Sequence, residues 1–122
     1  MTVDGMYVDG FVAAVPTANK DAYRRHAEAA WPVFKDHGAL RMVECWGDEV
    51  PEGTLTSFPM AVKCQPDETV VFSWVIWPDK AAREAGWKAI MADERMGPDK
   101  NPMPFDGKRM IYGGFAPLLD CR

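Results

Sequence analysis

The segment from Thr69 to Trp77 constrains the fold of this chain most, because nearly all of its residues are β-branched or aromatic. Such side chains fit the pleated surface of a β-sheet and predict a strand. In a strand, Phe72 and Trp74 point to one face of the sheet. Ser73 and Trp77 point to the opposite face, so both faces carry large apolar groups. This run is the strongest strand signal in the chain and predicts a central strand.

Five further elements complete a simple pattern around this strand. They are strands at Tyr7–Val15, Leu40–Trp46 and about Lys108–Phe115, and helices at about Lys20–His37 and Lys80–Ala92. Asn19 and Asp79 precede the helices as N-cap residues, and Gly38 follows the first helix as a C′ residue. The segment Met60–Cys64 stays unassigned. The order of strands and helices predicts an α+β fold of the ferredoxin-like βαββαβ type, as one domain over residues 1–122.

The predicted sheet carries more apolar surface than its helices can cover. Two helices pack on only one face of a four-stranded sheet, while the strands have apolar residues on both faces. A second copy of the chain, packed sheet to sheet under two-fold symmetry, covers the remaining face. We therefore expect a homodimer with the architecture of a dimeric α+β barrel.

Charge and composition argue against several classes of protein. The 14 basic and 18 acidic residues give a net charge of −4, and the densest basic groups are only Arg24-Arg25 and Lys108-Arg109. A nucleic-acid interface needs clustered Lys and Arg, so we expect no nucleic acid as a partner. No segment approaches the roughly 18 apolar residues of a membrane span, and the start shows no leader-like pattern. The 3 widely spaced cysteines suit no disulfide framework, which favours a cytoplasmic protein.

No sequence motif for a cofactor occurs. The chain lacks a Walker loop, a dinucleotide fingerprint, a zinc-ligand pair, a nucleophile elbow and a haem attachment sequence, so we expect no cofactor and no metal. Carboxylates do cluster at and after the end of the second strand, at Glu44, Asp48, Glu49 and Glu52. Such groups bind hard metal ions or perform acid–base chemistry, and Asp48 is a candidate ligand contact. The alternative is a solvated acidic loop, because the spacing matches no known metal-binding loop.

The two histidines, His26 and His37, lie on one side of the first predicted helix, since they are close to three turns apart. His26 flanks the apolar stripe of that helix and is a candidate catalytic residue, acting as a general base or as a donor to a ligand. The alternative is structural. His26 then lies at the flank of the helix, and His37 interacts with the negative end of the helix dipole.

Tryptophans are numerous, with 5 in 122 residues. Trp46 and Trp74 are candidate ligand-binding residues, because indole rings stack on planar molecules. The alternative places them in the core and the dimer interface, whose energetics large aromatic rings dominate.

Arg109 and Tyr112 begin the last predicted strand. Arg109 is a candidate catalytic residue that could clamp a carboxylate, and Tyr112 is a candidate ligand-binding residue. Their odd spacing puts them on opposite faces of a regular strand, so they are separate candidates. The alternative for Arg109 is a structural ion pair with Asp106 or Asp48.

Several stretches of the chain are similar to the YbaA-like family of small bacterial proteins of unknown function. The stretches are Tyr7–Phe11, Val43–Asp48, Glu68–Trp74 and Met103–Phe115. The resemblance covers nearly the whole chain, and the last stretch is long and particular. It implies the dimeric α+β barrel fold, whose members include small monooxygenases, dehalogenating and isomerising enzymes, and stress proteins. It supplies no catalytic motif, so the site residues rest on the sequence patterns alone.

Two functions fit these observations. The first is a cytosolic homodimer that binds a small apolar or aromatic metabolite between sheet and helices, and transforms it without a cofactor if it is an enzyme. The second is a non-catalytic binding or stress-related module that acts through a protein partner. An enclosed cavity with convergent polar groups favours the first function, and a filled interior favours the second.

Overall fold

The computed structural model, which describes residues 6–122, is an α+β fold with a four-stranded antiparallel sheet and three α-helices. The strands are β1 (Tyr7–Pro16), β2 (Arg41–Trp46), β3 (Glu68–Trp77) and β4 (Ile111–Phe115). The helices are α1 (Lys20–Asp36), α2 (Phe58–Ala61) and α3 (Lys80–Ala92). The first five residues of the predicted domain lie outside the described range.

The strands lie in the order β2-β3-β1-β4, and every neighbouring pair is antiparallel. β3 pairs with β1 along its full length, from Trp77 opposite Tyr7 to Glu68 opposite Pro16. It also pairs with β2 on its other edge. The prediction that this apolar segment forms a central strand is therefore confirmed.

Both long helices pack on the same face of the sheet, which we call the helix face. Val33 and Phe34 of α1 and Ile90 of α3 form one buried cluster with Val75 and Trp77 of β3. α3 approaches the sheet closely because it carries Gly86, where a Cβ atom would overlap the indole ring of Trp77. The glycine in the middle of this helix is thus a packing requirement.

The opposite face of the sheet, which we call the outer face, is only partly covered. Val62, which follows α2, is fully buried against Val12 and Val70 at one end of this face. Phe72 contacts the Phe58 ring of α2 but is still 44% exposed, and Phe115 is 62% exposed. The outer face therefore presents apolar surface that residues 6–122 leave exposed.

Three local predictions change in the structure. Asn19 precedes α1 but makes no capping hydrogen bond with its side chain, which donates to the Pro104 carbonyl oxygen instead. The last strand begins at Ile111 rather than near residue 108, because Gly107–Arg109 form a 3-10 turn. The unassigned segment Met60–Cys64 begins with the last two residues of the short helix α2 and continues as a turn. The N-cap of α2, Ser57, accepts a hydrogen bond from the backbone N–H of residue 60.

Candidate functional site

An open groove of about 590 Å³ lies between α1 and β2 on the helix face. Met42, Glu44 and Trp46 line it from β2, where they share one face of the strand. Tyr23 and Trp31 line it from α1. The groove has the size of a site for a small organic molecule, and aromatic rings make up much of its apolar wall.

Tyr23 and Glu44 meet inside this groove. The Tyr23 hydroxyl donates a hydrogen bond to Glu44 Oε1 at 2.6 Å. Tyr23 is buried on the sheet-facing side of α1, and Glu44 lies on β2 directly opposite the buried Ser73 of β3. Because strand positions alternate between faces, the carboxylate of Glu44 projects towards the helices between two apolar neighbours, Met42 and Trp46.

The groove changes the acidity of both groups. Glu44 is exposed as a whole residue, yet contact with the groove walls partly desolvates its carboxylate and raises the pKa of Glu44 above its ordinary value. Hydrogen bonds from Tyr23 and Ser73 lower that pKa and oppose the effect in part. Burial and the negative charge of Glu44 raise the pKa of Tyr23, so the phenol stays protonated as a donor. The pair offers a carboxyl group whose protonation state responds to what occupies the groove.

Charged side chains surround the mouth of the groove. Lys20 and Arg24 alternate there with Asp21 and Glu28. Arg24 and Glu28 form an exposed ion pair at 3.6 Å, and the Lys20 ammonium lies 5.7 Å from the centre of the Trp46 ring. No Lys or Arg within residues 6–122 forms a salt bridge with Glu44. The charges at the mouth therefore largely balance one another and leave the carboxylate inside unneutralised.

The segment of residues 97–106, which we call the strap, packs across α1 behind Tyr23. His26 Nδ1 and Asn101 Oδ1 are 2.9 Å apart, and the Asn101 side chain donates to the His26 carbonyl oxygen at 3.1 Å. The Phe105 ring lies 5.7 Å from the Tyr23 ring. The strap thus fixes the position of the tyrosine that donates to Glu44.

The two histidines serve different parts of this structure. His26 is half-buried under the strap and lies 6.3 Å from the Tyr23 ring, but it does not line the groove. His37 follows the last turn of α1, and its Nε2 lies 2.9 Å from Asp93 Oδ2. A catalytic role for His26 stays a prediction, and the geometry gives it a supporting place next to Tyr23.

The predicted ligand-binding tryptophans point in opposite directions. Trp46 lies in the groove on the helix face, 6.5 Å from the Tyr23 ring. Trp74 lies on the outer face opposite Val43, with its ring 5.6 Å from Phe72. The structure therefore places Trp46 at the candidate site and Trp74 on the incompletely covered sheet surface.

Asp48 lines a second, smaller cleft of about 220 Å³ that shares Cys45 and Trp46 with the groove. This cleft lies at the end of β2 near Phe58 and Phe72. Asp48 is exposed there and is not among the residues that line the larger groove. Its predicted contact with a ligand is thus separated from Glu44.

Arg109 lies in an ion-pair network. Its Nη1 and Nη2 donate to the two carboxylate oxygens of Glu68 at 2.7 and 2.6 Å, and its Nε donates to Asp106 at 3.1 Å. Nη1 also donates to the Lys63 carbonyl oxygen. The guanidinium holds the pKa of Glu68 below its usual range. Of the two acidic partners suggested by the sequence, Asp106 pairs with Arg109, whereas Asp48 does not appear in the network.

Tyr112 is 72% exposed on β4, opposite Phe11 of β1. It shares no hydrogen-bond partner with Arg109 among residues 6–122, and Arg109 lies in the turn before β4 rather than on the strand itself. Neither residue lines the groove between α1 and β2. Their catalytic and ligand-binding roles stay predictions.

A second carboxylate on the helix face, Asp9, was not singled out by the sequence patterns. Its side chain is 4% exposed. It accepts hydrogen bonds from the indole N–H groups of Trp77 and Trp87 at 2.9 and 2.8 Å, and from Arg83 Nη2 at 2.8 Å. Arg83 also lies 5.3 Å from the centre of the Tyr7 ring. This cluster ties α3 to the sheet.

Sequence patterns missed Tyr23 as a functional residue and placed Glu44 only in an acidic cluster. The alternation of β2 carried a signal, since Glu44 interrupts an otherwise apolar face formed by Met42 and Trp46.

Within residues 6–122, no group of three or more His, Cys, Asp and Glu side chains could hold a metal ion. None of the helices in that range has the length and apolar character that a membrane crossing requires.

The fold and the groove define a small α+β protein with an aromatic-walled site on the helix face of a four-stranded sheet. A family model described as "Protein of unknown function (DUF1428)" matches residues 6–107, and the chain belongs to this family. It is 56% identical over 114 residues to the uncharacterized protein YbaA of Escherichia coli strain K12, covering 93% of this chain and 97% of that protein. YbaA of Shigella flexneri matches with the same identity and coverage. The resemblance to YbaA-like proteins is confirmed.

Proposed function

We propose that the protein is a cytosolic binding protein for a small aromatic or apolar metabolite, held in the groove between α1 and β2. The Tyr23–Glu44 hydrogen bond inside that groove is the observation that carries the proposal. Apolar walls provide binding energy, and a few convergent polar groups fix the orientation of a ligand. The same pair can take a proton from the ligand and return it without a cofactor, because burial raises the pKa of Glu44 above its ordinary value and makes the carboxylate a stronger base.

We further propose that two chains pack through their outer faces, as a ferredoxin-like βαββαβ protomer in a dimeric α+β barrel. The strand order β2-β3-β1-β4 and the location of α1 and α3 on one face support this arrangement. The exposed apolar side chains of Phe72, Ile111 and Phe115 on the outer face give a second copy something to bury. A homodimer leaves the groove accessible, because the groove is on the opposite face.

Native mass spectrometry of protein purified gently from its source tests both parts of the proposal. We expect a dimer that carries a reproducible small-molecule adduct, which a denatured sample lacks. Trp46→Ala removes a wall of the groove, so this variant should lose most of the adduct and remain dimeric. A matched control is Glu84→Gln, an exposed residue of α3 outside the groove, which should retain the adduct.

The two parts can fail separately. Phe115→Asp places a charge on the outer face and should shift the dimer to a monomer, while a wild-type monomer would contradict the sheet-to-sheet arrangement. A bare wild-type dimer, or an adduct that Trp46→Ala retains in full, would contradict the groove as the binding site. A bare dimer would favour the alternative of a non-catalytic module that acts through a protein partner.

A further inference from the structure

We infer that the ligand of the groove is an organic cation: an ammonium or amidinium group, paired with Glu44, on a planar apolar body. This inference rests on the proposed function and names the chemical class of its ligand. It follows from the charge that the groove leaves unneutralised, the aromatic walls around that charge and the hydrogen-bonding capacity of the carboxylate.

The first step is the difference between Glu44 and two buried carboxylates, those of Asp9 and Glu68. Asp9, which is 4% exposed, pairs with Arg83, and Glu68, which is 6% exposed, pairs with Arg109. Within residues 6–122, Glu44 receives a hydrogen bond from Tyr23 but forms no salt bridge with a Lys or Arg. Because the Glu44 carboxylate lies between the apolar side chains of Met42 and Trp46 and has no protein counter-charge, a cation supplied from outside stabilises its ionised form.

The second step is the charge of the lining as a whole. Two basic side chains and three acidic ones line the groove, counting Glu44. Arg24 pairs with Glu28 at the mouth, and Lys20 lies over the Trp46 ring. The ionised groove therefore has a negative balance, which attracts a cation and repels an anion.

The third step is the character of the walls. Trp31, Trp46 and Tyr23 line the same groove as Glu44, and aromatic faces attract cations through their quadrupoles. The Trp46 ring already has the Lys20 ammonium 5.7 Å from its centre, so this wall is accessible to a positive charge. A carboxylate among aromatic rings recognises an ammonium by a charge-assisted hydrogen bond and by cation–π attraction.

The competing ligand classes gain less from these groups. A carboxylate or phosphate ligand would meet the like charge of Glu44 and would find only exposed cations at the mouth. A neutral aromatic ligand would gain the apolar walls but would leave the ionised carboxylate without a counter-charge. The cation uses both features of the groove.

Three probes of similar size test this inference: benzylamine, benzyl alcohol and benzoate. Binding is measured at pH 8 by NMR titration of the indole N–H signals, with Trp46→Phe identifying the signal of Trp46. We expect protonated benzylamine to bind about tenfold more tightly than benzyl alcohol, and benzoate to bind most weakly. Glu44→Gln should reduce the preference for benzylamine to within about twofold, whereas Glu84→Gln should retain it.

The outcomes separate this inference from the proposed function. If benzyl alcohol or benzoate binds in the groove as tightly as benzylamine, the groove is a ligand site and the cation assignment is wrong. If benzylamine keeps its advantage in Glu44→Gln, another acidic group holds the cation and the assignment to Glu44 is wrong. If none of the three probes shifts the Trp46 signal, the cation assignment is wrong, and so is the proposal that the groove binds aromatic ligands.

Discussion

Two carboxylates on the helix face of the same sheet, Asp9 and Glu44, have opposite surroundings. Asp9 is surrounded by two indole N–H donors and the Arg83 guanidinium. Glu44 accepts a hydrogen bond from Tyr23, lies in an open groove and forms no salt bridge with any of residues 6–122. Both interrupt strands that are otherwise largely apolar, so the strand pattern alone does not distinguish them.

The difference teaches how to separate a structural carboxylate from one that is available for binding. A carboxylate whose oxygens are occupied by buried donors stabilises the fold and leaves little capacity for a ligand. A carboxylate without a counter-charge in a cavity lowers the free energy of unfolding, and a ligand that pairs with it raises that free energy again. The predicted effects of substitution on the free energy of unfolding should therefore be large at Asp9 and small at Glu44.

The largest effect is expected for Asp9→Ala. It leaves the Arg83 charge and two indole N–H groups without their acceptor, so we expect a loss of about 3 to 5 kcal/mol in the free energy of unfolding. Urea denaturation at pH 7 measures this loss. The matched variant Glu84→Ala, next to Arg83 but exposed, should change the same free energy by less than about 0.5 kcal/mol. If Asp9→Ala lost as little free energy of unfolding as Glu84→Ala, Asp9 would not be a structural carboxylate, and the contrast with Glu44 would be wrong.

A smaller effect is expected for Trp87→Phe, which keeps an aromatic ring but removes the N–H that donates to Asp9 Oδ2 at 2.8 Å. A hydrogen bond to a charged group contributes about 1.5 to 3 kcal/mol, and the loss in urea should fall in that range. Trp31→Phe is the control on the groove side, since Trp31 makes no side-chain hydrogen bond to Asp9. Equal losses for the two variants would mean that ring volume, rather than the hydrogen bond, sets the effect.

Tyr23→Phe should cost about 1 kcal/mol, because it removes a single hydrogen bond to a partly exposed acceptor. It should also raise the pKa of Glu44 further, since the Tyr23 hydrogen bond favours the ionised form. NMR titration of the Glu44 side-chain carbon signal measures this second change. An unchanged pKa would show that the hydrogen bond is not maintained in solution.

The smallest effect on stability is expected for Glu44→Gln, within about 1 kcal/mol at pH 8 because solvent screens the partly exposed carboxylate. At pH 8 the variant should have the higher free energy of unfolding. The native pKa of Glu44 is raised, so the folded protein holds its proton to higher pH than the unfolded chain does. Glu44 therefore makes the folded state less stable as pH rises through the window between those two pKa values.

Urea midpoints at pH 4 and pH 8 test this sign. Relative to Glu44→Gln, the wild type should be less stable at pH 8 than at pH 4. The opposite trend would mean that the ionised carboxylate is stabilised in the fold, as Asp9 is by Arg83. Glu44 would then belong with the structural carboxylates.

The sequence predicted the regular elements well because their signals are local. The helix Lys80–Ala92 has its predicted bounds, and Asp79 accepts a hydrogen bond from the Ala82 N–H as an N-cap. The candidate site was harder to predict, because Tyr23 and Glu44 are 21 residues apart and meet only when α1 packs on the sheet. Patterns within one element cannot show such a contact.

Arg109 also shows that sequence patterns predict local contacts but not distant ones. Its partner Asp106 is three residues away and was predicted, whereas Glu68 is 41 residues away and was not. The wrong start of β4 has a local cause, since the Asp106 side chain accepts from the Lys108 N–H and favours a turn where a strand was expected. Long-range pairing and side-chain caps therefore account for most of what the patterns missed.

The contact between Gly86 and Trp77 has a consequence for the whole Asp9 cluster. A single missing methyl group lets α3 rest on the indole, and this spacing brings Arg83 and Trp87, one turn apart, within reach of the carboxylate. The size of residue 86 thus sets the distance between α3 and the sheet. A larger residue at position 86 would require a smaller ring at position 77. That replacement would remove the indole N–H that donates to Asp9, one of the hydrogen bonds that join α3 and the sheet.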